Sequence, residues 1–209
     1  MNKGKKIAIV DVCHTLYKEN TTIGFINYAN NNSLYLKLLR FSFVKNLLIL
    51  LGKALRKDLY RILYIRTLAG KSKYDLYTLA LHYYDDVLKY TEISEVHDLI
   101  IKNKDIYNYR LCSASLDIII GAVVERNVLF DKEYISSKLG YDKSEVCTGK
   151  LICDLLGNKA REFDSPDWVI TDNVSDLDLI RKSKRSTVIS RQKNIKFWTK
   201  NSIDVDIVI

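Results

Sequence analysis

The first clear pattern in the chain is a short apolar run, residues 7–10, that ends abruptly at Asp11. An uninterrupted run of this length is typical of a parallel β-strand that is buried on both faces. The carboxylate of Asp11 then stands at the carboxyl end of that strand, the edge where ligands bind in open α/β sheets. A strand-end aspartate can serve as a nucleophile or as a metal ligand. Asn20 and the two threonines after it predict the start of a helix.

Residues 20–105 have the residue spacing of helices. Leucine and tyrosine recur every three or four residues, as at Leu59 and Leu63, no proline occurs, and only three glycines interrupt the segment. Gly70 followed by Ser72 predicts the end of one helix and the start of the next.

Residues 34–51 are apolar on most sides, with basic residues between the leucines. Three interpretations fit this composition: a buried helix, an interfacial helix that lies on anionic lipid or receives a lipid-like substrate, and a nucleic-acid surface. The pattern favours the buried helix and leaves the other two open. Because no recognised nucleic-acid-binding module occurs, we expect no nucleic-acid partner.

Strands return after residue 105. Residues 109–112 predict a strand that ends at Ser113, and a helix is predicted over residues 116–124. A hydroxyl between a strand end and a helix N-terminus is well placed to bind a phosphate oxygen. A simple helix-capping role for Ser113 or Ser115 is the alternative.

A further strand is predicted within residues 128–139, and residues 148–151 are predicted to form a turn into another extended piece. Residues 157–162 predict a glycine turn that opens a helix with Lys159 in its first turn. A cation at that position opposes the helix dipole, which suggests that Lys159 faces an anion. A solvated surface lysine is the alternative.

Residues 168–171 predict a buried strand that ends at Asp172, and Asp176 follows four residues later. Two carboxylates so placed can share a hard cation with Asp11, although Asp-Asn-x-x-Asp is also an ordinary helix start. The remaining predicted elements, which complete the sheet, are a strand at 186–189, a short helix at 193–200 and a terminal strand at 205–209.

Composition and charge restrict the class of protein. Of the 209 residues, 47% are hydrophobic and 28% charged, as in folded globular proteins, and no apolar run reaches the roughly 18 residues of a membrane span. The net charge of +8 admits anionic partners, and residues 34–73 hold ten Lys or Arg and one acid. The four cysteines lack Cys-x-x-Cys spacing, which predicts reduced thiols in a cytoplasmic protein. Contact between residues 34–51 and an anionic membrane stays open.

Four short motifs resemble those of the haloacid dehalogenase (HAD) superfamily. Residues 11–16 read Asp-Val-Cys-His-Thr-Leu, similar to the first motif, Asp-x-Asp-x-Thr-Leu, and Ser113 in Ser-Ala-Ser is similar to the second motif of the phosphoserine-phosphatase-like branch. Lys159 falls where the third motif has its lysine. Asp172 and Asp176 resemble the fourth, Gly-Asp-Ser-x-x-Asp. The motifs occur in the order of the superfamily and extend over nearly the whole chain.

This resemblance implies an α/β fold, with a Rossmann-like core that contains a parallel sheet and a helical cap inserted between the first and second motifs. Residues 1–19 and 106–209 would form the core, and residues 20–105 the cap.

The resemblance also implies a magnesium-dependent phosphatase in which Asp11 attacks phosphorus and forms an aspartyl-phosphate. In that expectation Mg²⁺ is held by Asp11, the backbone carbonyl of Cys13 and Asp172, with Asp176 in support. A dianionic phosphate that approaches a carboxylate needs such cations, because phosphoryl transfer depends mainly on positioning and on charge stabilisation.

The same resemblance gives Ser113 and Lys159 the task of holding the phosphoryl oxygens, with Lys159 also counted among the catalytic residues. Arg161 is the alternative cation if Lys159 does not serve.

Cys13 departs from the family pattern, because family phosphatases have there the aspartate that protonates the leaving group and activates water. The pKa of a free thiol is about 8.5 against roughly 3.9 for aspartate, so the thiol is a poor acid and a poor base. General acid–base catalysis contributes about 10²–10⁴-fold, so we expect slow hydrolysis. Imidazole titrates near neutrality, but adjacent residues of an extended chain point in opposite directions, which makes His14 a weaker candidate. His82 and His97 are weaker still.

Three functions stay open. The favoured one is a phosphatase for a small phosphorylated metabolite. The second is a phosphotransferase, or a catalytically quiet phosphate-binding relative. The third is a phosphatase for a lipid-linked phosphate that is reached at a membrane surface through residues 34–51.

Overall fold

The computed structural model describes residues 5–30 and 33–209, so parts of both predicted domains, residues 1–4 and 31–32, lie outside the described residues. At its centre is a sheet whose strands are β1 (Lys6–Val10), β2 (Tyr107–Leu116), β3 (Ile135–Tyr141), β4 (Cys147–Cys153), β5 (Trp168–Thr171), β6 (Ser186–Ser190) and β7 (Ile207–Val208). Their order is β4-β3-β2-β1-β5-β6-β7, and only the β3–β4 pair among these is antiparallel. The predicted α/β fold with a mostly parallel sheet is confirmed.

The sheet is surrounded by helices. They are α1 (Thr21–Ala29), α2 (Leu34–Arg40), α3 (Ser42–Leu55), α4 (Leu59–Arg66), α5 (Lys73–Asp86), α6 (Ser94–Lys102), α7 (Asp117–Arg126), α8 (Leu177–Lys182) and α9 (Ile195–Lys200). Among the described residues, none of these helices is long and apolar enough to cross a bilayer.

The first six helices, α1–α6, lie between β1 and β2, where the cap was predicted. Side chains of this helical region share one hydrophobic cluster with the sheet, as Phe25 and Tyr64 do with Val10. The division into a core and a cap at residues 19 and 106 therefore stays a prediction.

Strand β1 shows why the sheet is covered on both faces. Ala8 and Val10 are fully buried in the cluster that contains the helical region. Ile9 points to the opposite face, where it belongs to a second cluster with Leu179 and Trp198. Because successive side chains of a strand alternate between faces, an apolar run without polar interruptions is needed to fill both layers.

Several predicted boundaries differ from the observed elements. Strand β2 continues past Cys112 to Leu116, because it pairs with β3 beyond the point where β1 has ended. Residues 148–151 lie inside β4 rather than in a turn, although Gly149 has a φ of +68° there. The predicted helix at Lys159 is only a single 3₁₀ turn, Lys159–Arg161.

The interpretation of residues 34–51 as one buried helix is wrong. The chain leaves the helical conformation at Phe41, where ψ is 129°, so that two helices, α2 and α3, form instead of one. Within α3, only Gly52 is buried. Most of the apolar side chains of this segment are exposed, which removes the reason for assigning them to the core.

Gly149 lies where β4 meets the end of α4, and a side chain there has no room. A Cβ atom would lie 2.9 Å from the carbonyl oxygen of Arg66 and 2.9 Å from the Cβ of Ala69. At Gly70, whose φ is +85°, a Cβ atom would meet nothing within 4 Å.

Replacing Gly149 with alanine should therefore lower the free energy of unfolding by about 2–4 kcal/mol, since left-handed strain adds to overpacking. Gly70→Ala carries the strain alone and should cost about 1 kcal/mol. Urea unfolding of both variants measures the difference. Equal losses would show that the contact between β4 and α4 is not tight.

Candidate active site

Three separate stretches of the chain meet at the carboxyl edge of the sheet. Strand β1 pairs with both β2 and β5, and Val10 lies opposite Leu111 on one side and Ile170 on the other. Asp11 and Asp172 follow directly after β1 and β5. The backbone N–H of Asp11 donates to the carbonyl of Ile170 at 2.9 Å, which fixes the start of the loop after β1.

A cavity of about 510 Å³ opens at this edge. Four of the predicted site residues line it: Asp11, Cys13, Ser113 and Asp172. The structure thus brings together residues that are up to 161 positions apart in the chain, as the parallel topology requires. Their catalytic and metal-binding roles stay predictions.

The hydrogen bonds of Thr15 give a physical reason for the threonine of the first motif. Its hydroxyl is fully buried, donates to Asp172 Oδ1 at 3.0 Å and accepts from the Asp172 backbone N–H at 2.9 Å. These two hydrogen bonds fix Asp172 against the loop after β1. Thr15 is therefore a positioning residue for the second carboxylate.

Lys159 lies between two buried carboxylates. Its Nζ is 2.7 Å from Asp11 Oδ2 and 2.8 Å from Asp176 Oδ2, and all three side chains are at least 95% buried. Burial alone would lower the pKa of Lys159, but the two carboxylates outweigh it and raise that pKa above its usual value. The expectation that Lys159 faces an anion agrees with these contacts, and the alternative of a solvated surface lysine is wrong.

Two features of this cluster were not predicted. Lys159 is not among the side chains that line the cavity in the described part of the chain, and Thr171 donates to Asp176 Oδ2 at 2.7 Å. Asp176 is thus held by Lys159 and Thr171, while its other oxygen, Oδ1, is buried without a partner among the described residues. Arg161 is exposed and does not contribute to this cluster.

The negative charge at the cavity exceeds the positive charge that balances it. Burial, and then the Asp11 carboxylate nearby, raise the pKa of Asp172 to about 7. Burial and the Asp11 carboxylate thus disfavour the ionised form of Asp172 more strongly than Thr15 and Lys159 favour it. Asp11 and Asp172 both line the cavity, and carboxylate oxygens are donors that a hard divalent cation prefers. No group of three or more His, Cys, Asp or Glu side chains within the described ranges is arranged to hold a metal.

Cys13 contacts two hydroxyl groups that sequence reasoning did not assign to it. Its Sγ is 2.9 Å from Thr21 Oγ1 and 3.1 Å from Ser115 Oγ, and the two hydroxyls also contact each other. Burial and the Asp11 charge raise the pKa of the Cys13 thiol. Ser113 Oγ in turn donates to Ser115 Oγ at 3.2 Å.

His14 also lines the cavity, contrary to the premise that it points away from Cys13. The chain is not extended there, because His14 has a left-handed φ of +56°. An Arg191 Nη2–H donates to His14 Nδ1 at 2.7 Å, and the Lys18 carbonyl lies 2.9 Å from the same nitrogen. Burial and Arg191 lower the pKa of His14, which favours the neutral ring.

The helical region supplies the remaining wall of the cavity. Arg61 of α4 is buried and donates to Asp154 Oδ1 at 2.8 Å and to Ser137 Oγ at 3.2 Å, besides the Ala114 carbonyl. Lys45 of α3 also lines the cavity. No sequence motif marks Arg61 or Lys45, which meet the site only through distant contacts, and the positive charge of residues 34–73 was the one available signal for them. Thr21 belongs to the predicted helix start after Asn20, a pattern that does not indicate its contact with Cys13.

Lys159→Met should lower the free energy of unfolding by about 3–5 kcal/mol, because it leaves two carboxylates buried without their partner. The control is Lys184→Met, which removes an ion pair with Asp167 whose lysine side chain is 66% exposed. Exposed pairs contribute about 0–1 kcal/mol. Urea unfolding at neutral pH measures both. A similar small loss in the two variants would contradict the assigned importance of the buried cluster.

Asp172→Asn should stabilise the metal-free protein at pH 8 by about 1–3 kcal/mol, after allowance for the partial exposure of Asp172. The raised pKa means that the unfolded chain releases this proton near pH 4 while the folded chain keeps it until about pH 7. The free energy of unfolding of the wild type therefore falls as the pH rises from about 4 to about 7. The variant has no carboxyl group at this position and does not undergo this loss.

Unfolding in EDTA at pH 5 and pH 8 tests this expectation. The gain should shrink towards pH 5, and the exposed Asp178→Asn should change little at either pH. A gain that is independent of pH would rule out the titration of Asp172 as its cause.

No protein-family model matches the sequence, and no curated protein is significantly similar to it. Solved structures are similar in fold. A protein of unknown function from Bordetella pertussis Tohama I has a TM-score of 0.67 and 13% identity, with 99% of each chain covered. Phosphoserine phosphatase, as a phospho-aspartyl intermediate analogue, has a TM-score of 0.61 and 16% identity, covering 99% of this chain and 94% of that one.

A HAD family hydrolase from Salmonella enterica has a TM-score of 0.59 and 16% identity, over 98% of this chain and 66% of that one. At these identities the comparisons concern the fold and not the chemistry. The chain therefore has the fold of phosphoserine phosphatase and of HAD family hydrolases.

Proposed function

We propose that this chain is a HAD-type phosphatase that acts on a small phosphorylated metabolite, with Asp11 as the nucleophile. The observation that carries the proposal is the convergence of Asp11, Ser113 and Asp172 on one cavity, with Lys159 in contact with Asp11. The solved structures with a similar fold include phosphoserine phosphatase and a HAD family hydrolase, which supports the same reaction class.

In the proposed first step, a carboxylate oxygen of Asp11 forms a bond to phosphorus while the bond from phosphorus to the leaving oxygen breaks. The electron pair departs with the leaving oxygen as an alkoxide, which takes a proton from solvent water to become the alcohol. In the second step water attacks the aspartyl-phosphate, loses a proton, releases inorganic phosphate and restores Asp11. Lys159 offsets the negative charge of the nucleophile, and the Ser113 hydroxyl donates to a phosphoryl oxygen.

The donor set fits Mg²⁺, which would be held by Asp11, the Cys13 carbonyl and Asp172. The ion would stabilise the negative charge that develops on the phosphoryl oxygens. Asp176 supports the arrangement through its contact with Lys159. Thr15 keeps Asp172 oriented for this role.

Cys13 limits the rate in this proposal. Its thiol is surrounded by the hydroxyls of Thr21 and Ser115, which exchange hydrogen bonds but supply no strong acid or base. A neutral thiol neither protonates an alkoxide efficiently nor removes a proton from water. Both proton transfers are then unassisted, and the turnover is slow.

The assay is the release of phosphate from an aryl phosphate in the presence of Mg²⁺. Asp11→Asn should abolish turnover, since an amide does not attack phosphorus. Cys13→Asp should raise turnover by about 10²-fold or more, because it restores a group for both proton transfers. Cys153→Asp, which places the same charge at an exposed cysteine outside the cavity lining, should leave turnover unchanged.

Retention of activity in Asp11→Asn, together with no gain in Cys13→Asp, would contradict the hydrolase. Removal of Mg²⁺ with EDTA should stop turnover of the wild type, and its return should restore it.

The surroundings of Cys13 favour a second candidate, a phosphotransferase or a catalytically quiet phosphate-binding protein. Such a protein would bind beryllofluoride, a mimic of the phosphoryl group, at Asp11 without catalysing hydrolysis. Protection of the wild type against thermal unfolding by Mg²⁺ with beryllofluoride, its loss in Asp11→Asn, and no turnover would identify this second function.

A further inference from the structure

Helix α3 carries two apolar stripes, and only one of them faces the protein. Val44 and Leu48 are partly buried and pack against the hydrophobic core. Phe43, Leu47 and Leu50 recur at intervals of four and three residues, so they lie on a different face of the helix. Their side chains are 78%, 44% and 66% exposed.

Helix α2 and the link between the helices extend this exposed face. Residues 34–57, named here the docking surface, contain six large apolar side chains that are more than half exposed: Leu34, Leu38, Phe41, Phe43, Leu50 and Leu55. Single exposed apolar residues are normal on a protein surface, but a cluster over two consecutive helices marks an interaction site.

The docking surface is also strongly cationic. It contains six exposed cations and no acid: Lys37, Arg40, Lys45, Lys53, Arg56 and Lys57. None of them forms an ion pair with an acid in the described part of the chain. A binding partner with a negatively charged surface and an apolar interior would complement both the cations and the exposed apolar side chains.

We propose that the docking surface binds an anionic lipid membrane, with α2 and α3 lying in the plane of the interface. An amphipathic helix with basic and apolar faces binds there by inserting its apolar side chains among the headgroups while its cations meet anionic lipid. At 7 and 14 residues, α2 and α3 are too short to span a bilayer.

A second copy of the chain is a poorer occupant. In a symmetric dimer the same patch of each subunit meets the other, which would bring the cations of two docking surfaces against each other without any acid between them. A membrane also suits the location, because Lys45 belongs to the docking surface and lines the cavity. The bound protein would then hold its cavity beside the lipid headgroups.

The test is co-flotation of the whole protein with vesicles of phosphatidylcholine alone or of an equal mixture of phosphatidylcholine and phosphatidylglycerol. The wild type should float with the anionic vesicles and not with the neutral ones. Added salt should weaken the binding, because it screens charges at the surface.

Two double variants separate the apolar and the cationic contributions. Phe43→Ser with Leu50→Ser, and Lys53→Glu with Lys57→Glu, should each reduce binding at least tenfold. The matched controls are Val128→Ser with Ile152→Ser, which changes exposed apolar residues elsewhere, and Lys196→Glu with Lys200→Glu, which changes exposed lysines of α9. Both controls should bind as the wild type does.

Absence of flotation with anionic vesicles at low salt would overturn the proposal, as would unchanged binding in Phe43→Ser with Leu50→Ser. Self-association that this variant abolishes, without lipid binding, would make the docking surface a dimer interface instead. The inference does not rest on the phosphatase, and turnover of a soluble aryl phosphate by the Phe43→Ser, Leu50→Ser variant should equal that of the wild type.

Discussion

The contact between Lys159 and two buried carboxylates is the constraint on which the site depends. Asp11 follows β1 and Asp176 precedes α8, and the lysine between them comes from a 3₁₀ turn. A buried charge is tolerated only when it is paired, and loss of Lys159 would leave both carboxylates buried without their cation. The contacts with Lys159 fix the positions of Asp11 and Asp176. Two hydrogen bonds with Thr15 fix the position of Asp172 in the same way.

Much of the site could be predicted because its residues follow buried strands. Once the apolar runs before Asp11 and Asp172 are assigned to neighbouring parallel strands, topology alone brings their carboxyl ends together. Lys159 was inferred from an unfavourable position in a predicted helix. The helix proved to be a single turn, but the inference that the lysine meets an anion was sound, because both carboxylates contact it.

The parts that could not be predicted depend on contacts between distant residues or on unusual backbone angles. The hydroxyls of Thr21 in α1 and Ser115 in β2 contact Cys13, and no local sequence pattern indicates these contacts. His14 has a left-handed backbone conformation, and its side chain lines the same cavity as Cys13 instead of pointing away from it. Residues 34–51 are apolar enough for a core, and periodicity does not tell an apolar face that packs on the protein from one that is left exposed.

Arg61 has a consequence for the size of molecule that the cavity accepts. Its guanidinium joins α4 to Asp154, Ser137 and the carbonyl of Ala114, which follows Ser113 directly. Moving α4 away would separate this guanidinium from its partners. Because the side chain is almost wholly buried, the loss of these contacts would cost considerable free energy. Helix α4 is therefore held against β2, β3 and the residue that follows β4. A ligand must therefore fit the α4 side of the cavity as it stands, because widening the cavity there would separate Arg61 from these partners.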